Sequence, residues 1–374
     1  MVEPTDCDLE SLELLTHQEL SRVLPPELYE VSLARSLPYL LLSVLLTIAS
    51  SALFSLLVPF DLAHLFIWVV NAVVTGTFAT GCWVIAHECG HGAFCKSKLI
   101  QDLVGFVLHS SLLVPYFSWK QSHKLHHAYN AHLDLNEVHV PLRNTDVKSK
   151  QILRDFDRLP PHLFAIANLA AKLFLGWPAY LLFGVTAGPS RRGSTHLKPS
   201  IFWSGTKSES FHISRKVRIH IFASFCGPAA VLALLVYLTL SKGFLPVLYL
   251  YIGPYLVVNC WLVTYTWLHH TGDRMCCFDE DHWSWAKGAF MTVDRPYNPI
   301  INFLHHNIGR THVVHHIEPR IPHYHSRRAA DQIVRYFHKF YVFDDQSLPN
   351  ALVKAASLPL IVSNRGTYWK QINT

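Results

Sequence analysis

The chain has 374 residues; half are apolar and only 16% are Asp, Glu, Lys or Arg, against roughly a quarter in an ordinary soluble domain. With a mean hydropathy of +0.20, this composition excludes intrinsic disorder, collagen and coiled coil. The formal charge of +6 comes with no basic run interleaved with aromatics, which argues against nucleic-acid binding and fits the positive-inside bias of a membrane protein. The eight Cys form no C-x-x-C pair, so neither a zinc ribbon nor a disulfide scaffold is indicated.

Residues 1–36 are polar to mixed, with an acidic start, and lack the basic n-region and short apolar core of a cleaved signal peptide. Apolar runs follow at about 37–60 and 64–86, then at about 219–240 and 244–268. Each is long enough to cross ~30 Å of hydrocarbon as a helix. The short turns near Asp61 and at Ser241–Gly243 make each pair a helical hairpin, giving four spans. Two further stretches are apolar but interrupted. Residues 99–117 contain Asp102, His109 and Pro115, and residues 161–187 contain Lys172, Gly176 and Pro178. Both are expected to be buried, interfacial or re-entrant. Lys and Arg concentrate in 87–218, whereas the hairpin turns hold only Lys242. That places 1–36, 87–218 and 269–374 in the cytoplasm. The expected organisation is an N-terminal segment (1–36), one membrane domain (37–345) and a C-terminal tail (346–374), with no internal repeat.

Histidine is the unusual residue: 25 His nearly match the 26 acidic side chains. Three clusters stand out: His87 and His91 in H-E-C-G-H, His123, His126 and His127 in H-K-L-H-H, and His312, His315 and His316 in H-V-V-H-H. Spacings of three and four put side chains on one helix face. An isolated His such as His17, His162 or His338 needs no more than a satisfied polar role. Three helically spaced clusters on one side of the membrane point to metal. Eight imidazoles overfill one zinc but suit two ions with open positions. Imidazole suits iron, copper and zinc alike. At the water–lipid boundary the reachable substrate is a lipid chain, and removing hydrogen from a methylene calls for a redox metal and oxygen. H-E-x-x-H is also the zinc-protease signature, with Glu88 as general base. The two H-x-x-H-H clusters have no use in a one-zinc protease.

The three boxes in this order around two hairpins, with AHECGHGAF, DLVGFVLHSSLLVPYFSWKQSHKLHH, GWPAYLLFG, TVDRPYN and IPHYH, resemble the membrane fatty acid desaturases of the methyl-end type. The resemblance runs over roughly residues 20–345. It implies an all-α integral membrane protein whose cytoplasmic helical cap carries a histidine-rich di-iron site. It also implies oxygen as co-substrate, a separate electron donor such as cytochrome b5 or ferredoxin, and residence in the endoplasmic reticulum. The family generally supplies a ninth His near the end of the fourth span. His270, just before Thr271, matches that position better than His269. His306 reads as a loop residue, and Glu88 as a group that orients a ligand. No H-P-G-G occurs, so no heme domain is fused, and Arg191, Arg192, Arg327 and Arg328 are a candidate dock for the electron carrier or for lipid headgroups. Glu318 and Arg320, unusual for this type, are expected to affect docking of the acyl chain or the donor.

The reaction implied is dehydrogenation of a fatty acyl chain to a cis double bond and water. HECGH, VPYFSW and the H-N-I-x-x-T-H spacing resemble the Δ12 (omega-6) branch, and HECGHG, EVHVPL and the Pro319-x-Ile321 tail the omega-3 branch. Δ12 is favoured, with omega-3 or dual activity close behind. An acyl hydroxylase, acetylenase or conjugase on the same scaffold is the alternative. From other classes come a zinc intramembrane protease and a non-catalytic lipid-binding protein.

Overall fold

A computed structural model describes residues 6–190, 196, 215–272 and 274–372. Arg191 and Arg192 lie outside the described residues. In chain order the helices are α1 (Asp6–Glu13), α2 (His17–Arg22), α3 (Leu33–Leu57), α4 (Leu65–His91), α5 (Lys98–Ser111), α6 (Tyr116–Ala128), α7 (Val147–Arg158), α8 (Pro161–Phe183) and α9 (Arg215–Ala223). There follow α10 (Cys226–Lys242), α11 (Phe244–Val247), α12 (Gly253–His270), α13 (Trp285–Phe290), α14 (Pro299–Leu304), α15 (His312–Ile317), α16 (His323–Phe337) and α17 (Leu348–Ala356).

Five helical stretches are long and apolar enough to cross a membrane: α3, α4, α8, Arg218–Lys242 and Phe244–His270. Four of them cover the expected spans. The fifth, α8, meets the same length and apolarity criteria although Lys172 interrupts it. Helices α5 and α6 form one apolar pair bent by 102°, which accounts for the interruption at Pro115. The spans present apolar side chains outward, among them Leu45, Ile48 and Leu53 on α3 and Leu234 and Val236 on α10. Their mutual contacts use small and polar residues instead, as hydrocarbon gives no hydrophobic drive between helices. The Ser50 and Thr75 hydroxyls meet at 2.8 Å, and the Asn71 amide donates to the Tyr249 carbonyl at 3.1 Å. Gly76 lets α4 touch α12 directly, since a Cβ there would stand 2.6 Å from the Pro254 carbonyl oxygen. A π-turn at Leu248–Ile252 leads into Pro254, relieving the backbone where proline has no N–H to give.

The molecule is mostly helical rather than all-α. A small four-stranded sheet, ordered β1-β3-β4-β2, joins β1 (Leu142–Arg143), β2 (Cys276–Cys277), β3 (Ile361–Asn364) and β4 (Trp369–Gln371). β1 pairs parallel to β3, and β4 pairs antiparallel to both β3 and β2. Strands of two to four residues are too short to leave an alternation in the sequence. Residues 346–372, set apart in the sequence as a tail, thus form α17 and two strands. Asn168 of α8 donates to the Ala356 carbonyl at 2.9 Å.

The N-terminal helices are held by a buried carboxylate. Glu318 accepts from Arg320 Nε at 2.9 Å and Tyr29 at 3.4 Å, and lies 3.3 Å from His17 Nε2. These two departures from the family pattern therefore stitch the N-terminal segment to the end of α15.

A candidate metal centre

Each box places at least one histidine in the last turn of its helix. His87 and His91 close α4, His126 and His127 close α6, His315 and His316 lie in α15, and His269 and His270 close α12. Gly92, at φ +82°, ends α4 immediately after the first box by adopting a left-handed conformation that costs glycine little. Four helix C-termini therefore converge, and each carries partial negative charge. The convergence favours a cation.

The ligand nitrogens of His87, His91, His123, His127 and His315 lie within 4.8 Å of one another, and those of His126, His270 and His316 form a second such group. The two groups touch: the His127 and His316 rings stack at 4.3 Å. His312 belongs to neither group but brings its Nε2 to 3.2 Å from His270 Nε2. His123 Nε2 stands 2.9 Å from His87 Nε2 and 3.1 Å from His127 Nε2. Metal–nitrogen bonds of about 2.0–2.1 Å set adjacent ligand nitrogens roughly 3 Å apart. The observed spacings match.

Burial makes the case from the energetic side. Nε2 of His91, His315 and His316 is buried without a hydrogen-bond partner among the described residues. Each such orphan costs about 1–3 kcal/mol when nothing binds it. Desolvation, reinforced by neighbouring imidazoles, holds His312, His315 and His316 well below the usual histidine range. They stand neutral, with a lone pair to give, which is the form a metal takes. The donor set fits two metal ions.

Several supporting residues carry no signal in the box pattern. Asn136 Oδ1 accepts from His126 Nδ1 at 3.0 Å, which fixes the ring and turns Nε2 toward the second group. Trp119 stacks on His123 at 4.6 Å and Trp83 on His87 at 5.4 Å. Glu88 accepts from His323 N at 2.9 Å and lies 3.1 Å from His323 Nδ1. His269 turns away from the cage, with Nδ1 on the Val293 carbonyl. His306 also lies apart, 3.0 Å from Ser43 Oγ. Arg327 and Arg328 are exposed on α16, where Arg328 approaches Glu27 at 3.4 Å.

An apolar cavity opens onto the cage. Trp83, Trp177, Leu262, Val263 and Ile308 line it together with His87, His123, His126, His270 and His312. The apolar side chains and the imidazoles thus share one cavity wall. Lys172 also lines it, with Nζ 3.8 Å above the Trp267 ring.

Residues 62–347 match the family model for fatty acid desaturase. The chain is 37% identical over 361 residues to a Delta(12) fatty acid desaturase of Calendula officinalis, covering 94% of this chain and 90% of the relative. It is 36% identical over 364 residues to the oleoyl-12-hydroxylase of Ricinus communis, covering 94% and 89%. Identity is also 36% over 364 residues to an endoplasmic-reticulum omega-6 fatty acid desaturase of Glycine max, covering 94% and 89%. With its histidine cage, apolar cavity and membrane-length helices, the chain belongs to the fatty acid desaturase family, membrane oxidoreductases that act on fatty acyl chains.

Proposed function

We propose that this enzyme inserts a cis double bond at the Δ12 position of an oleoyl chain, at a site of two iron ions. The ligands are His87, His91, His123, His127 and His315 for one ion, and His126, His270, His312 and His316 for the other. The single observation that carries the reading is the apolar cavity ending on the paired histidine groups. When bound, the irons supply the oxygen-dependent oxidation that side-chain acid–base chemistry does not reach. The chain does the rest. Trp83, Trp177 and Val263 hold the methylenes and keep water out, Asn136 holds His126 in one tautomer, and the cavity's shape decides which carbons face the cage. The Δ12 position rests on the Calendula and Glycine relatives. Hydroxylation is the second reading, favoured by the Ricinus relative on the same scaffold. Glu88 engages His323 rather than standing free beside the imidazoles, which disfavours the protease reading.

The same proposal places the enzyme in the endoplasmic reticulum with four spans and the cage on the cytoplasmic face. α4 and α12 both end at the cage, so the segments after them start on one side. α8 is read as interfacial: Asn168 binds α17, and Tyr180, near its other end, meets Ser122 of α6 at 3.0 Å. Both of its ends thus attach to cap elements. Electrons come from a separate carrier protein.

Three outcomes are expected. Expressed in yeast, which makes oleate, the enzyme yields a 9,12-diene without added linoleate, read by mass spectrometry of derivatised fatty acids. A triene formed only when linoleate is fed reverses the position, and a hydroxylated main product moves the enzyme to the second reading. Asn136→Ala, which frees the His126 ring, lowers diene yield about 10–100-fold, checked against equal protein by immunoblot; an unchanged yield removes Asn136 from the supporting shell. In sealed microsomes of a Cys226→Ser background, Arg327→Cys reacts with an impermeant maleimide from the cytoplasmic side and Lys242→Cys does not. Labelling of position 242 from that side contradicts the topology.

A further inference from the structure

Among the described residues that line the apolar cavity, Lys172 is the one Lys or Arg, and no carboxylate joins it. It comes from α8 together with Gly176 and Tyr180, four and eight residues further on, so the three share one helix face. From α12 come Leu262, Thr266 and His270 at the same spacing. Lys172 Nζ is buried, stands 3.8 Å from the centroid of the Trp267 ring, and has no hydrogen-bond partner among the described residues. An ammonium carries three N–H donors, and one ring face does not satisfy them. Burying such a group uncompensated is costly, so the position calls for something electron-rich from the occupant of the cavity.

The distance to the cage limits what that is. Trp267 precedes His270 by three residues of α12, about 4.5 Å along the helix axis. His139 lines the same cavity and is pushed down to about 3 by burial, then by the charges of Lys172 and His126. The ammonium is therefore within electrostatic reach of the cage end. There the ester of an oleoyl chain is far away, but its existing cis double bond is not: a single methylene separates that bond from the carbons oxidised at Δ12. We propose that Lys172 is a specificity-determining residue whose ammonium reads the double bond already present in the acyl chain, selecting unsaturated chains over saturated ones. The inference rests on the acyl-desaturase reading and adds how the substrate is recognised. A carbon–carbon π bond attracts a cation as an aromatic face does, though less strongly, and the attraction counts most where water is excluded. With an unsaturated chain bound, the ammonium meets two electron-rich faces in place of one. A saturated chain offers it only C–H bonds.

Shape is the competing explanation, because a cis bond also bends the chain. Competition against radiolabelled methyl oleate on the purified full-length chain in detergent separates the two. The competitors are methyl oleate, methyl stearate and methyl octadec-9-ynoate, an alkyne with π electrons at the same carbons and a straight chain. The wild-type chain is expected to bind both π-bearing esters about threefold or more tighter than methyl stearate. Lys172→Met, which keeps the side-chain length and removes the charge, brings both within about twofold of methyl stearate and leaves methyl stearate unchanged. Lys172→Arg keeps the preference. A wild-type chain that does not prefer the alkyne to methyl stearate overturns the inference, and so does a preference that survives in Lys172→Met. A loss in Lys172→Met that falls equally on methyl stearate makes Lys172 a packing element and overturns it as well. Diene formation in yeast without this discrimination defeats this inference alone. Absence of any acyl oxidation defeats the reading beneath it.

Discussion

Nine imidazoles are packed against one another where four helices converge, and the rest of the architecture follows from that constraint. Neutral rings with facing lone pairs repel, and helix C-termini add partial negative charge to the same volume. Three Nε2 atoms there have no hydrogen-bond partner among the described residues. Without a cation the arrangement is unfavourable several times over, and with cations every one of those terms changes sign. The fold is organised to deliver it. α4 and α12 run side by side with Gly76 at the contact, so that His87, His91 and His270 arrive at the same level. The bend between α5 and α6 then brings the second box across them, and α15 closes the ring.

Much of this was legible in the sequence, for identifiable reasons. Intervals of three and four residues become a shared face on any helix, so the eight box histidines could be grouped without knowing the tertiary structure. The hairpin spans were visible because long apolar runs have little other use. His270 was different. Nothing in its spacing separates it from His269, and only the family resemblance singled it out; the structure turns it to the cage while His269 faces the Val293 carbonyl. Asn136 is a single amide in a loop, whose role depends on a fold that brings it to His126. The sheet depends on the β1–β3 pairing of residues more than 200 positions apart and on the β2–β4 pairing of residues more than 90 apart, and Ile361 and Trp369 carry no local mark of them. Glu318, expected from the sequence to affect docking of the acyl chain or the donor, is a buried tie to the N-terminal helices.

Lys172 shows how one residue reads differently at each level. In the sequence it is a flaw in an apolar run. In the structure its Nζ lies over the Trp267 ring at the edge of the apolar cavity. A purely hydrocarbon pocket gains nothing from a buried ammonium.

Metal content is the most direct test of the central claim. Purified full-length chain, analysed by inductively coupled plasma mass spectrometry and Mössbauer spectroscopy, is predicted to hold about two irons per chain in nitrogen-rich, magnetically coupled sites. His126→Ala and His315→Ala, one from each histidine group, are each predicted to lower that content. A single zinc per chain, or iron content unaffected by both substitutions, would contradict the account.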